Sequence, residues 1–399
     1  MEIRGNVVIG GAGIGGLALA ARLAARGAEV LVLDQAPAPA PVGSGFVLQP
    51  VGLAALADLG LAERVIALGA RIDRLHGETV DGRLVLSAAY AAGGRARFGV
   101  SLQRAALFGL LRGAALGAGA VIRQSAKVVA GDASGLTLET GERVEGGLVV
   151  DALGATSPLS PDPGAELDYG ALWATLQWRP EDGFAANTLE QRYWRASKMA
   201  GVLPIGARED DAMQRVAYFW SLRREAMAAW RNGPLDDWKA EATALWPATA
   251  PLLGQIRSHD DLVPAVYRHR TLRSPVTDGL VHIGDSYHAA SPQLGQGANM
   301  ALLDAAALDY AFAAAPHRDE ALRDYSARRR WHVRLYQLAS RLFTPVYQSD
   351  SRILPWIRDR AMAPVSRIWP GDAILSAMIA GTLGAPLAQI GLEPFEGEG

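Results

Sequence analysis

The 399-residue sequence predicts an α/β fold: a Rossmann-like domain interrupted by a β-sheet domain and followed by a helical C-terminal segment. Three observations carry that prediction. The first 34 residues read as strand, glycine turn, helix and strand; a second strand with a glycine-rich loop and helix returns near residue 280; and seven of the ten tryptophans lie between Trp173 and Trp246. The first domain is therefore expected at 1–75, 98–165 and 275–340, the inserted sheet domain at 76–97 and 166–274, and the helical segment at 341–399.

Asn6 to Gly10 is a short apolar run of strand length, Ile14 to Arg26 is an Ala- and Leu-rich helical stretch, and Glu29 to Leu33 is a second strand. Gly27 lies where that helix should stop. The apolar N-terminus could be mistaken for a signal peptide, but Gly10, Gly11, Gly13, Gly15 and Gly16 break it. Ala36 to Pro41 alternates alanine and proline and must cross as an extended loop. Short strands are expected over Ala70 to Val100 and Val121 to Asp151, a helix over Arg104 to Leu116, a strand at Leu280 to Ile283, and helices to about Arg341.

Charge is nearly balanced, with 39 Lys and Arg against 41 Asp and Glu, so no nucleic-acid partner is expected. The run Arg328-Arg329-Arg330 reads as a solvated helix face or a surface anchor. Absence of cysteine excludes disulfides, thiolate metal sites and a cysteinyl cofactor link, and fits a reducing, cytoplasmic setting. Ala373 to Leu392 has no charged residue, yet Gly381, Gly384, Pro386 and Gly391 break it. It is expected to pack on the protein, with weak membrane or oligomer contact as the alternative.

Gly11, Gly13 and Gly16 form G-x-G-x-x-G between strand and helix. One glycine permits the tight turn, the next lets a pyrophosphate approach the backbone, and the third lets helix press on strand. Amides at the positive helix end would face the phosphates. Asp34, 23 residues after Gly11, closes the second strand, where a carboxylate can accept from both ribose hydroxyls of an adenosine. This motif specifies a dinucleotide without choosing NAD over FAD.

The second loop, Gly284 to Asn299, carries G-D-x-x-H and then P-x-x-G-Q-G-x-N. It resembles the aromatic-hydroxylase branch of FAD monooxygenases, the para-hydroxybenzoate hydroxylase fold. The resemblance spans roughly residues 6 to 340 and implies non-covalent FAD. Asp285 is suited to accept from ribityl hydroxyls, and Pro292 and Gly295 let a flat ring lie on the backbone. Gln296 belongs to the same cofactor loop, and the amides from Gly297 to Asn299 would face the flavin edge where negative charge develops. The resemblance also implies that Arg104, opening a helix after Gln103, contacts the cofactor, and that Gln49 and Pro50 lie over the flavin. His288 is read as structural.

A third family signature, Ala-Asp-Gly followed by Ser and Arg, is altered here. In Ala152-Leu153-Gly154-Ala155-Thr156-Ser157-Pro158-Leu159-Ser160 the acid is Leu153 and the arginine is Ser160. Asp151, two residues earlier, lies about 7 Å away along a strand and is not equivalent. The resemblance implies reduction by NADH or NADPH, capture of O2 as a flavin C4a-hydroperoxide, and hydroxylation of an aromatic, polycyclic or other apolar small molecule. Trp173, Trp178, Trp194 and Trp220 are expected to supply an apolar cover, each with packing in an ordinary core as its alternative. No residue is singled out as catalytic. A flavin dehydrogenase, reductase or halogenase on the same fold, or a flavoprotein that only binds a ligand, are the alternative readings.

Overall fold

The computed structural model describes residues 6–39, 44–92, 94, 97–208 and 211–395. Ala40 and Pro41 of the expected extended loop lie outside the described residues.

The strand Val7–Gly10 is buried at every position, as a parallel strand covered on both faces must be. It pairs in parallel with Val30–Leu33 on one side and Leu148–Asp151 on the other. Val121–Arg123 and Leu280–His282 extend this sheet in parallel, and Val276–Thr277 closes one edge as an antiparallel strand. The helices Ile14–Ala25 and Gly297–Ala314 pack on it, so the two glycine-rich loops, though nearly 270 residues apart, open at the same edge of the sheet, with only the strand Leu148–Asp151 between them. Ligands of open α/β sheets bind at those carboxyl ends.

A second sheet has seven strands, in the order Val263–Ala265, Tyr169–Gln177, Arg215–Arg223, Lys198–Pro204, Thr188–Trp194, Arg74–Thr79, Leu84–Ala89. Its side chains alternate between two faces, the period-2 consequence of pleated strands. Leu172, Ala174, Leu176, Val216, Tyr218 and Trp220 face outward onto Trp230, Trp238 and Trp246 of the covering helices. Trp173, Leu203, Ala217 and Phe219 take the other face, turned toward Val47 and Ile379 of the remaining structure.

That alternation corrects the expected tryptophan cover. Trp220 is a core residue in an edge-to-face contact with Trp238, and Trp178 packs against the same outer core. Trp194 is exposed at the end of its strand. Only Trp173 of the four lies on the inner face, with its ring centroid 4.7 Å from that of Phe219.

The helix Arg318–Tyr347 runs beyond Arg341, and short helices follow, including Ile353–Ile357 and Gly371–Ile379. The basic run is not simply a solvated face: Arg330 is exposed, but Arg329 is fully buried and paired with Asp304. Among the described residues no helix is long and apolar enough to cross a membrane.

Candidate active site

The three glycines of the first loop have different surroundings, each matching one demand of the turn. Gly11 has φ +102°, and a Cβ there would lie 2.4 Å from the carbonyl oxygen of Ala152. At Gly16 a Cβ would lie 2.0 Å from the carbonyl oxygen of Gly11, so only glycine lets the helix sit this close to the turn. Gly13 is exposed with open space around its missing side chain, and it caps the helix without a side-chain hydrogen bond. The first-turn amides therefore face an open cradle of the kind a pyrophosphate fills.

Asp34 is half-buried beside this cradle. Its two oxygens accept from the amides of Ala12 and Ala36, each at 2.8 Å. The carboxylate is thus fixed by the turn it serves, and each oxygen keeps a lone pair for a ribose hydroxyl.

Gly284, at φ +61°, ends the strand Leu280–His282 and turns the chain into the second loop. Asp285 follows with its side chain open to solvent but surrounded by protein, the position of a group on a cleft floor. Desolvation raises its carboxyl above the usual range, against the charges of His288, Arg104 and Arg270, which pull it down. Arg104 opens the helix Arg104–Gly117, is exposed, and has no carboxylate partner among the described residues. The two unpaired charges thus lie within electrostatic reach of each other across one cleft. Gln103, immediately before Arg104, holds a buried side-chain Nε2 that finds no acceptor among the described residues.

Pro292 is exposed at the start of a single 3-10 turn, and Gly295 ends it in the left-handed region at φ +61°. A Cβ on Gly295 would approach Gln49 Nε2 at 3.1 Å, so the Gln49 side chain borders this loop. Gly297 is exposed, and a Cβ on it would lie 3.9 Å from Asp285 Oδ1. The helix beginning there therefore directs its positive end, with the amides of Gly297, Ala298 and Asn299, toward the cleft that holds Asp285.

Two residues of this loop turn their side chains into the protein. Gln296 is buried, with Nε2 donating to the carbonyls of Ile379 (2.8 Å) and Met378 (3.4 Å). Asn299 is fully buried: Oδ1 accepts from the Gln49 amide (2.8 Å), while Nδ2 donates to the carbonyls of Gly295 (2.9 Å) and Val47 (3.3 Å). Their side chains shape the loop, leaving their backbones to face the cleft.

His288 is structural, as read. Its Nε2 lies 2.6 Å from Asp304 Oδ2, which also accepts from the Gly284 amide at 2.8 Å, while Arg329 Nε donates to Asp304 Oδ1 at 2.7 Å. Burial alone would raise the Asp304 carboxyl, but His288 and Arg329 outweigh it and hold it below the usual range. Arg329 Nη1 reaches His332 Nδ1 (3.2 Å), and His332 Nε2 reaches the carbonyl of Gly381 (3.0 Å). One buried polar chain thus ties the loop to the long helix and the C-terminal segment.

That segment contributes more to the site than its sequence indicated. Met378 to Gly381 touches Gln296, His332 and Tyr336, and the Val51 amide donates to the Ala380 carbonyl at 3.4 Å. Ile379 and Ala380 pack with Val47, Tyr90, Leu203 and Ile205. Sequence reasoning missed Asp304, Arg329 and His332; the spacing of Arg329 and His332 on one helix face was the available signal.

In the altered third motif Asp151 is fully buried and serves the fold. It accepts from Ser157 Oγ (2.7 Å), the Leu153 amide (3.0 Å) and His282 Nδ1 (2.9 Å). Arg270, 1% exposed, donates to the carbonyls of Ala155 (2.9 Å) and Pro163 (3.1 Å), clamping this loop beside the second one.

An open cradle of backbone amides, a carboxylate at Asp34 with free lone pairs, and Asp285 and Arg104, without ion-pair partners among the described residues, in front of a helix N-terminus form a donor and acceptor set that fits a flavin dinucleotide. The model of the FAD binding domain family matches residues 4–337. The chain belongs to this family. Its cofactor is FAD, and it is an oxidoreductase of the FAD-dependent monooxygenase type.

Similar proteins cover nearly the whole FAD-binding chain. The 2-heptyl-3-hydroxy-4(1H)-quinolone synthase of Pseudomonas aeruginosa is 28% identical over 374 residues, which is 89% of this chain and 92% of that protein. The aurachin C monooxygenase/isomerase of Stigmatella aurantiaca is 25% identical over 378 residues, 90% and 94% of the two chains. Among solved structures, the tetrameric form of 2-methyl-3-hydroxypyridine-5-carboxylic acid oxygenase shares the fold, with TM-score 0.76 and 19% identity over 96% of this chain and 97% of that one.

Proposed function

We propose that the chain hydroxylates an apolar, planar heteroaromatic small molecule, with NADH or NADPH as reductant and O2 as oxidant. The observation that carries the substrate class is the inner sheet face. Trp173 packs against Phe219 with the two rings tilted by 37°, and donates from Nε1 to the Tyr267 hydroxyl at 2.8 Å, beside Leu203 and Ala217. Flat apolar walls with a few polar groups favour a flat apolar ligand. Burial raises the Tyr267 hydroxyl to about 12, so it stays protonated and can donate to a substrate heteroatom. The name of the 28% identical relative, a 2-heptyl-3-hydroxy-4(1H)-quinolone synthase, supports a ring system with a nitrogen in it.

FAD, when bound, supplies the redox chemistry between reductant, O2 and substrate. In this reading the amides after Gly13 hold the pyrophosphate, Asp34 the ribose, and Asp285 and Arg104 the middle of the cofactor. Pro292, Gly295, Gly297 and the backbones of Gln296 and Asn299 receive the ring. The inserted sheet and the Met378–Gly381 turn keep water from it. The discontinuous division into 1–75, 98–165 and 275–340, against 76–97 and 166–274, is part of the same proposal, as is a cytoplasmic setting.

The test is NAD(P)H consumption by purified protein across 4-quinolones, hydroxypyridines and hydroxybenzoates, with product masses. A quinolone product heavier by one oxygen is expected. Oxidation of the reductant that no aromatic ligand stimulates, with no oxygen incorporated, would overturn the reading.

A further inference from the structure

We infer that the segment from Ile353 to Trp369 docks this protein on an anionic lipid surface. The helical stretch that starts with Ile353–Ile357 and continues through Arg358–Met362 and Ala363–Val365 is amphipathic in the wrong sense for a protein surface. Pro355, Arg358 and Ala363 turn inward, whereas Ile353, Trp356, Ile357 and Val365 recur at helical spacing on the exposed side. Ile368 and Trp369 follow directly, and Trp369 is 79% exposed. An apolar stripe containing tryptophan in water is costly, and a bilayer interface is the solvent that suits it.

Charge selects the occupant. Between Arg328 and Ile374 the sequence carries nine arginines and three aspartates, in a chain whose net charge is −2. Arg329 and Arg358 are buried beside Asp304 and Asp359. Arg352, Arg360 and Arg367, in or beside the segment itself, are exposed, and none forms an ion pair with a carboxylate among the described residues. A second copy docked on this face would oppose these cations with its own, whereas phospholipid anions complement them. A cavity of about 330 Å³ adds an independent feature next to the stripe. Arg83, Arg195, Arg352 and Arg360 line it and outnumber Asp81 and Asp359, with Arg195 over Trp194 and Arg360 over Trp356 at 4.7 and 5.1 Å. Its guanidinium groups and aromatic walls suit a lipid phosphate at the edge of the buried stripe.

The segment lies on the membrane, since no described helix can span one. It runs straight into Gly371–Ile379, whose end touches Gln296, so the docked face is continuous in sequence with the wall of the cleft. The inference does not depend on which substrate is turned over.

The test is flotation of the FAD-loaded protein with vesicles of phosphatidylcholine alone or mixed with phosphatidylglycerol. Binding to the mixed vesicles, reduced by salt, is expected. Trp356→Ser with Trp369→Ser should abolish it, and Arg352→Gln with Arg360→Gln should weaken it on the order of tenfold or more. Both exposed-site variants should keep full FAD content and the parental melting temperature. If one does not fold, the other decides. Absence of flotation with either vesicle overturns the inference. So does an oligomer, seen by light scattering, that the tryptophan variant dissociates, because the face then belongs to a second copy.

Discussion

Asp304 Oδ1 accepts from Arg329 Nε at 2.7 Å, with neither side chain exposed to solvent. The pair joins the helix behind the cofactor loop to the long helix that leads to the C-terminal segment. A charge buried this deeply is tolerable only with its partner. Arg329→Met should therefore cost about 3–5 kcal/mol in chemical denaturation. Adding Asp304→Asn should recover part of that loss, because it removes the excess buried negative charge while its amide oxygen can still accept from the Gly284 amide. A double variant at least as unstable as the single one would show that the ion pair is not what the site depends on.

His332 makes stability depend on pH. Desolvation and the Arg329 charge push its imidazole down to about 3, and its Nδ1 lies where it must accept from Arg329. The folded protein therefore binds fewer protons than the unfolded chain between about pH 3 and the ordinary histidine value near 6.5. Stability should rise with pH across that window and be lost on acidification, by at most about 1.4 kcal/mol per pH unit from this group. The depressed Asp304 carboxyl acts in the same direction at its acidic end. Unfolding free energies at several pH values should fall less steeply in His332→Gln. Parallel slopes for the two proteins would remove His332 as the cause.

Gly13 and Gly16 separate cofactor binding from folding. Gly16→Ala sets a Cβ 2.0 Å from a backbone oxygen, so the helix must move, at a cost of about 1–3 kcal/mol or more, and FAD is lost with the fold's precision. Gly13→Ala meets nothing within 4 Å, so the apoprotein should melt unchanged. The new methyl instead projects into the cradle, and FAD affinity should drop by roughly tenfold or more, about 1.4 kcal/mol for each factor of ten. Calorimetry and fluorescence titration of apoprotein measure the two effects. Unchanged affinity in Gly13→Ala would place the pyrophosphate elsewhere.

How much of this was legible in the sequence follows from how local each requirement is. Gly11, Gly16 and Gly295 are needed by turns a few residues long, so their identities reveal their geometry. The side-chain directions of Gln296 and Asn299 are set by Ile379, Val47 and Gln49, remote in sequence, and a motif read as letters could not show that they turn away from the cleft. Trp173 and Trp220 differ for a similar reason. Strand register pairs Trp173 with Phe219 and Leu172 with Trp220, placing the two tryptophans on opposite faces. Only the pairing of distant strands decides which face is inner. The C-terminal turn was obscured because its contribution is through backbone carbonyls at Met378, Ile379 and Gly381, which any residue would carry.

Asp285 and Arg104 are the remaining test of the site, because neither has a hydrogen-bonding side-chain partner among the described residues. A charge-assisted hydrogen bond contributes about 1.5–3 kcal/mol, so Asp285→Ala and Arg104→Ala should each weaken FAD binding by roughly tenfold to a hundredfold. Because neither residue supports another protein group, the apoprotein variants should unfold at the parental denaturant concentration. Asp285→Asn should bind FAD better than Asp285→Ala, since its amide oxygen can still accept from a ribityl hydroxyl. Equal FAD affinity in Asp285→Ala and the parent would mean that the second loop holds the flavin through its backbone alone. The helix N-terminus at Gly297 would then carry the whole interaction.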